Sequence, residues 1–205
     1  MKIIDQKNIN FNSLSIPLDF IGPHIINGDT IYYLNRKYHR EDGPAIERAN
    51  GDKEWYVNNQ LHRINGPAVE LANGRKEWWL NGLLHREDGP AIDREYGKAW
   101  YQYGELHREN GPAREFSNGK QEWWLNGHLH RLDGPAIERD DEKLWYRYGL
   151  RHREDGPAIE RTDGKNEWYK YGKLHRENGP AIDYINGYKR WCIHGNTHRE
   201  DGPAC

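Results

Sequence analysis

The string His-Arg-x-(Asp/Asn)-Gly-Pro-Ala begins at His39, His62, His85, His107, His130, His152, His175 and His198, at intervals of 22 or 23 residues. Each copy brings together an imidazole, a guanidinium and, in most copies, a carboxylate. These groups serve as metal ligands, as general acids and bases, or as anion clamps. Metal binding fails on distance. Imidazoles on successive two-stranded repeats lie about 10 Å apart by strand spacing, whereas the ligands of one zinc ion sit about 2 Å from it. No metal is therefore expected, and the row is expected to be neutral rings that satisfy turn backbone and pack beside Leu. Acid–base catalysis fails on residue type. The position before Gly is Asp42, Asn65, Asp88, Asn110, Asp133, Asp155, Asn178 and Asp201. A turn accepts Asn and Asp alike, but Asn is no general acid or base. No single Ser is distinguished as a nucleophile, and no Gly-rich phosphate loop carries a Lys. Catalytic sites are singular and this chemistry is repeated, so no enzyme, no catalytic residue and no cofactor are expected.

The Arg row, from Arg40 to Arg199, is matched by an acidic row: Glu47, Glu70, Asp93, Glu115, Glu138, Glu160 and Asp183. Rows of opposite sign are expected to pair across strands or repeats. The sharper alternative is a groove lined by Arg63, Arg86, Arg108, Arg131 and Arg153 that holds an anion.

The elements that must position these rows follow from the rest of the repeat. Between successive His come a short apolar stretch (Pro44 to Arg48), an Asn-Gly turn (Asn50-Gly51), an aromatic stretch (Glu54 to Val57), a second turn (Asn58-Asn59, elsewhere Asn81-Gly82) and Leu61-His62. Asn-Gly and Asp-Gly between short runs of Ile, Tyr and Trp are hairpin signals, and turn signals recur too closely for helix to be expected. The fold class is all-β: an elongated solenoid of stacked antiparallel β-hairpins, about two strands per unit and 22–23 residues per repeat. One hairpin is unstable alone, so each is stabilised by its neighbours. The two 22-residue copies lose one residue just before Trp100 and Trp145, and should differ from the others in loop shape but not in core. Residues 1–21 lack the signature and are expected to be an N-terminal cap. Residues 22–205 form one repeat domain, beginning with a worn copy in which Tyr32-Tyr33 replaces the Trp pair and ending in a half repeat at Cys205.

Two aromatic rows follow. Trp55, Trp78, Trp100, Trp123, Trp145, Trp168 and Trp191 are expected to fill the core with Leu61, Leu84, Leu106, Leu129 and Leu174. The next positions, Tyr56, Trp79, Tyr101, Trp124, Tyr146 and Tyr169, point the other way along a strand. With Tyr103, Tyr148 and Tyr171 two residues further on, they are expected to be partly exposed and to offer contact surface to a partner.

Composition agrees with a thin folded stack. The hydrophobic share is 35% with 9 Trp and 13 Tyr, and 30 basic against 32 acidic residues leave a net charge of -2. Such a balance argues against nucleic acid and anionic membrane surfaces as partners. No apolar run reaches the roughly 18 residues of a spanning helix. Met1 to Asp5 does not read as a signal peptide, and the only cysteines, Cys192 and Cys205, make no disulfide framework. A cytoplasmic location is expected, the host cytoplasm if the chain is viral.

Asn73-Gly74-Arg75-Lys76-Glu77-Trp78-Trp79-Leu80-Asn81-Gly82-Leu83-Leu84-His85, followed by Arg-x-Asp-Gly-Pro-Ala, resembles a divergent MORN-like repeat over residues 22–205. Standard MORN repeats have Gly after the His, where this chain has Arg. The resemblance implies a hairpin stack used for protein or lipid contact without catalysis. Strings such as Leu106 to Ala113 also resemble repeat proteins of bacteriophages, large viruses and bacteria. That implies, as one role, a phage or viral inhibitor that blocks host defence by binding a protein or signalling nucleotide. A weaker resemblance, of Gly-flanked Trp-Tyr pairs to choline- and glucan-binding repeats, implies aromatic cages. The expectation is a non-enzymatic protein presenting a repetitive face to a macromolecule, most simply a protein. The alternatives are sequestration of a small anion or nucleotide between repeats, and a purely structural or assembly role, with a second copy pairing at the C-terminal strand edge.

Overall fold

A computed structural model describes residues 21–198. Apart from Ile21, the cap expected over 1–21 lies outside the described residues, as do the terminal half repeat, its strand edge, Arg199 and Cys205. The chain divides into two compact units, Met1–Leu84 and His85–Cys205, and the same repeat builds both. Every regular element among the described residues is a β-strand, and none is a helix long and apolar enough to cross a membrane.

The first unit opens with the two longest strands, Ile21–Ile26 and Asp29–Leu34, paired in register from Ile21↔Leu34 to Ile26↔Asp29. Their turn holds Asn27 and Gly28 at φ 52° and 87°, the left-handed pair that a two-residue type I′ hairpin turn requires. Ile46–Glu47 then pairs with Asp29–Leu34, and Lys53–Glu54, Val69–Glu70 and Lys76–Glu77 follow in antiparallel order. In the second unit the same ladder runs from Ile92–Arg94 through Lys189–Arg190.

Each repeat holds four short strands where two were expected. After the ladder hairpin the chain bends at Trp and forms a second, smaller hairpin, such as Tyr56–Val57 with Gln60–Leu61 or Tyr169–Lys170 with Lys173–Leu174. The bend is held on both sides. Trp55 N–H donates to the carbonyl of Ala68 in the next repeat at 2.8 Å, and the Trp55 carbonyl accepts from His62 N–H at 3.0 Å. Both bonds recur at Trp100, Trp123, Trp145 and Trp168.

Alternation along the ladder separates two rows. One carries Glu47↔Lys53↔Glu70↔Lys76 in the first unit and Glu138↔Lys143↔Glu160 in the second, opposite charges directly across from each other. The other faces inward and carries Ile46 and Val69, then Ile137, Leu144 and Ile159, the last three clustered with Leu129, Tyr146 and Tyr169 packed on them. The acidic row also pairs with the Arg row as expected, in Arg40–Glu47, Arg63–Glu70, Arg108–Glu115 and Arg153–Glu160.

The 22-residue copies turn through two residues, Glu95-Tyr96 or Asp140-Asp141, where the others use three, as in Ala49-Asn50-Gly51. The apolar strand residue therefore still faces the residue before Trp in both kinds: Ile46↔Glu54 and Ile92↔Ala99. The expectation of an unchanged core is corrected, because that facing residue is a buried Ala99 or Leu144 in the short copies and Glu54, Glu77, Glu122 or Glu167 in the long ones.

The deepest residues are also not those expected. Trp55, Trp78, Trp100, Trp123, Trp145, Trp168 and Trp191 are half-buried, as are Leu61, Leu84, Leu106, Leu129 and Leu174. The fully buried row is the Ala of Gly-Pro-Ala: Ala45, Ala68, Ala91, Ala113, Ala136, Ala158 and Ala181, all 0% exposed. The carbonyl of an Ala in this row accepts from the backbone N–H of the Trp in the preceding repeat, as Ala68 does from Trp55 and Ala113 from Trp100.

Candidate partner-binding surface

The His row is consumed in joining repeats. In type I′ turns the first central N–H points out of the hairpin, and here it donates to Nδ1 of the His one repeat earlier. The pairs are Asn58–His39, Asn81–His62, Tyr103–His85, Asn126–His107, Tyr148–His130, Tyr171–His152 and His194–His175, at 3.2–3.3 Å. The second central N–H goes to the carbonyl beside that His, as in Gly149 to Leu129 and Gly172 to Arg151. An Nδ1 that accepts carries no proton, which places the ring hydrogen on Nε2, except at His107, whose Nδ1 also faces Asn126 Oδ1 at 2.7 Å. Burial and then the nearby Arg147 guanidinium hold His130 and His152 below the usual imidazole range. Among the described residues no three His, Cys, Asp or Glu side chains gather as a metal site would require.

The Arg row is consumed within each repeat. The guanidiniums of Arg63, Arg108, Arg131 and Arg153 lie 3.9–4.0 Å over the rings of Trp55, Trp100, Trp123 and Trp145. Arg40 lies over Tyr32 in the same way, so the first copy keeps the arrangement with Tyr in the Trp position. Nη1 of Arg63, Arg86, Arg108, Arg131 and Arg153 donates to the Pro carbonyl four residues on, at 3.0–3.3 Å. Where Asp follows, as at Asp88, Asp133 and Asp155, Nε is bonded as well. The Gly of the motif is needed because the guanidinium lies against it: a methyl on Gly134 would sit 2.8 Å from Cζ of Arg131. An Arg-lined anion groove thus has most of its donors already occupied.

This stacking gives a direct expectation. Arg153→Lys keeps the charge and loses the planar fork over Trp145, lowering stability by about 1–2 kcal/mol. The loss should persist in 1 M NaCl, which screens exposed ion pairs. Asp155→Asn, a change the chain itself makes at Asn65, Asn110 and Asn178, should leave the urea midpoint unchanged. Equal midpoint losses for the two variants would contradict the stacking argument.

The second aromatic row, Tyr56, Trp79, Tyr101, Trp124, Tyr146 and Tyr169, is half-buried, in keeping with the partial exposure expected of it. In long copies the polar end of the ring is fixed by the Glu two residues earlier. Tyr56 and Tyr169 donate from the hydroxyl to Glu54 and Glu167 at 2.9 Å, and Trp79 and Trp124 from Nε1 to Glu77 and Glu122 at 3.1 Å. Burial and the facing carboxylate push the Tyr56 and Tyr169 hydroxyls above the usual phenol range. Tyr101 and Tyr146, in the short copies, follow Ala99 and Leu144, and Tyr146 instead accepts from Arg151 Nε at 3.4 Å. The signal for this pairing, Glu at every Trp of a long copy from Trp55 to Trp168, was present in the repeat.

Among the described residues the aromatic side chains left to solvent are Tyr96 and Tyr188, beside the ladder turns, and three at the tips of the second hairpins. Tyr103, Tyr148 and Tyr171 are 63%, 66% and 55% exposed. Each sits at φ 47–48°, in the left-handed region, at the position that Asn58, Asn81 and Asn126 fill elsewhere. Each ring stacks on the His beneath it, with centroids 4.2–4.3 Å apart for Tyr103 on His85, Tyr148 on His130 and Tyr171 on His152. Beside Tyr148 and Tyr171 stand Leu150, 47% exposed, and the basic Arg147, Lys170 and Lys173. Compared with known proteins, the chain matches no protein-family model, and no curated protein matches it at a significant level.

Proposed function

We propose that this protein is a non-enzymatic binding module whose repeated positions build the scaffold and whose unrepeated, exposed positions contact a protein partner. The observation that carries this is the Tyr at turn tips. A left-handed backbone costs a non-Gly residue about 1–2 kcal/mol, and Asn bears it best. Asn serves at three such turns of this chain, yet Tyr103, Tyr148 and Tyr171 hold exposed rings there. Strain kept at an exposed aromatic points to a use for the ring. A ring held rigidly by a His stack also loses little entropy on binding, which suits a hot spot. The occupied Arg and Glu-paired aromatic rows argue against sequestration of anions along the whole array. The resemblance to MORN-like repeats supports the same reading.

The test is a Tyr148→Asn/Tyr171→Asn double variant. Its urea midpoint should match wild type, since relieved backbone strain offsets the lost stacking. A partner captured by the wild-type chain at one-to-one stoichiometry should be lost by the variant, with affinity falling at least about 100-fold. Undiminished affinity in the variant would refute the proposal.

A further inference from the structure

One loop of the array lacks a feature that all the others have. In the two positions after Arg, the copies read Glu41-Asp42, Glu87-Asp88, Glu109-Asn110, Leu132-Asp133, Glu154-Asp155, Glu177-Asn178 and Glu200-Asp201, each with at least one carboxylate. The copy after Arg63 reads Ile64-Asn65 and has none. Both losses leave donors open. Where Asp is present it accepts from Nε of the Arg, at 2.8 Å for Arg40 and Arg86 and 2.9 Å for Arg153. Arg63 keeps its bonds from Nη1 to the Pro67 carbonyl and Glu70 and its stack on Trp55, but its Nε has no acceptor among the described residues. In four of the five described copies with Glu, its carboxylate stands 3.5–3.9 Å from Nε2 of the His, at His39, His85, His152 and His175. His62 has Ile64 at that position. Its Nδ1 accepts from Asn81 N–H at 3.2 Å, which leaves the Nε2–H without a protein acceptor among the described residues.

This loop borders an open groove of about 540 Å³ within the first unit. Trp55, Val57 and the 78% exposed Ile64 give it apolar surface, and Arg63 and His62 give it donors. Glu41 and Asp42 line it too, Asp42 already paired with Arg40 at 2.8 Å. A wall with Glu41 disfavours a polyanion. A single carboxylate fits, because the Nε edge of a guanidinium matches it and the same edge receives Asp in the neighbouring copies.

We propose that this groove is a docking site for an acidic side chain of a partner peptide. Its carboxylate takes the place that Asp occupies in other repeats, and an adjacent apolar side chain rests on Ile64 and Trp55. The site is separate from the Tyr148 and Tyr171 surface and stands or falls without it.

The probe is an acetylated, amidated Leu-Asp-Leu tripeptide, titrated into the full chain and followed by amide and Arg Nε chemical shifts. Saturable shifts are expected at Arg63, Ile64 and the Trp55 indole, and the Leu-Asn-Leu tripeptide should give none. Asn65→Asp and Ile64→Glu each supply the missing carboxylate with a residue that neighbouring loops already carry, so the fold is retained. Each should weaken binding by about tenfold or more. Asn110→Asp, the same change at another loop, should leave it unaltered. The proposal is overturned if Asn65→Asp binds as wild type does, if the Asn peptide binds equally, or if the shifts fall outside the groove. Binding only by a free C-terminal carboxylate, inorganic phosphate or a single-stranded oligonucleotide would likewise overturn it.

Discussion

A Gly97→Ala chain is expected to unfold well before wild type, with a stability loss of about 3 kcal/mol. Gly97 follows the two-residue turn of a short copy and pairs with Phe116 across the ladder. Its φ is +142°, and a methyl group there would overlap the carbonyl oxygen of Glu115 and lie 3.0 Å from the Phe116 Cα. Both neighbours are backbone of a paired strand, so neither can move without breaking the ladder. Gly74 is the matched control. It too has positive φ, at +85°, but nothing lies within 4 Å of a methyl placed on it, so Gly74→Ala should lose only the left-handed penalty of about 1 kcal/mol. Urea midpoints of the two variants, with matched circular dichroism in the absence of denaturant, check this. Equal losses would show that the turn conformation dominates and the close approach does not.

The second large effect concerns the bond that joins one repeat to the next. His152 is 2% exposed, accepts the Tyr171 N–H at Nδ1 and stacks on the Tyr171 ring. His152→Ala leaves a cavity and an N–H with no acceptor, for an expected loss of about 3 kcal/mol. His152→Asn, whose side-chain oxygen can occupy the place of Nδ1, should recover part of it. Acid should act on the same bond. The folded-state pKa of His130 and His152 lies below the unfolded value, first through burial and then through Arg147; for His152, Lys170 adds to this and Glu154 opposes it. The unfolded chain therefore binds more protons once the pH falls below about 6.5, the ordinary imidazole value. The stability from neutral rings is complete above that pH and is lost as pH falls through the folded-state pKa. The midpoint should decline below about pH 6.5, less steeply in His152→Asn, which has one titrating ring fewer. A midpoint that holds level through this range would contradict the neutral-acceptor assignment.

The turns were the most legible part of the sequence. Asn-Gly at fixed spacing marks left-handed backbone, and the spacing of Trp from Gly in long and short copies implied different loops, because only a changed loop keeps register. The role of the His row was legible too, since repeats about 10 Å apart cannot share a metal but can share a hydrogen bond. What the residues did not convey was which rings reach solvent. Alternation along a strand places Trp55 and Tyr56 on opposite faces, but the chain bends at Trp55 and begins a second hairpin, so alternation does not continue across it. Pairing between Glu54 and Tyr56, and stacking between Arg63 and Trp55, then cover rings that strand geometry alone would leave open. The Ala row was visible as a small residue after Gly-Pro in each copy of the His-Arg motif, but nothing local indicates that these residues are wholly buried.

The sequence by itself determined the all-β class, the repeat and its turns, because these depend on backbone preferences that act within a few residues. Only the tertiary structure decided which of the repeated side chains remain free for chemistry. That depends on contacts 18 to 21 positions apart for the His row, such as Tyr103 N–H on His85 and Gly149 N–H on Leu129, and on the bend that folds Arg63 back over Trp55 for the Arg row. With the His and Arg rows occupied, the recognition proposed above falls to exposed positions that break the repeat, Tyr148, Tyr171 and Ile64.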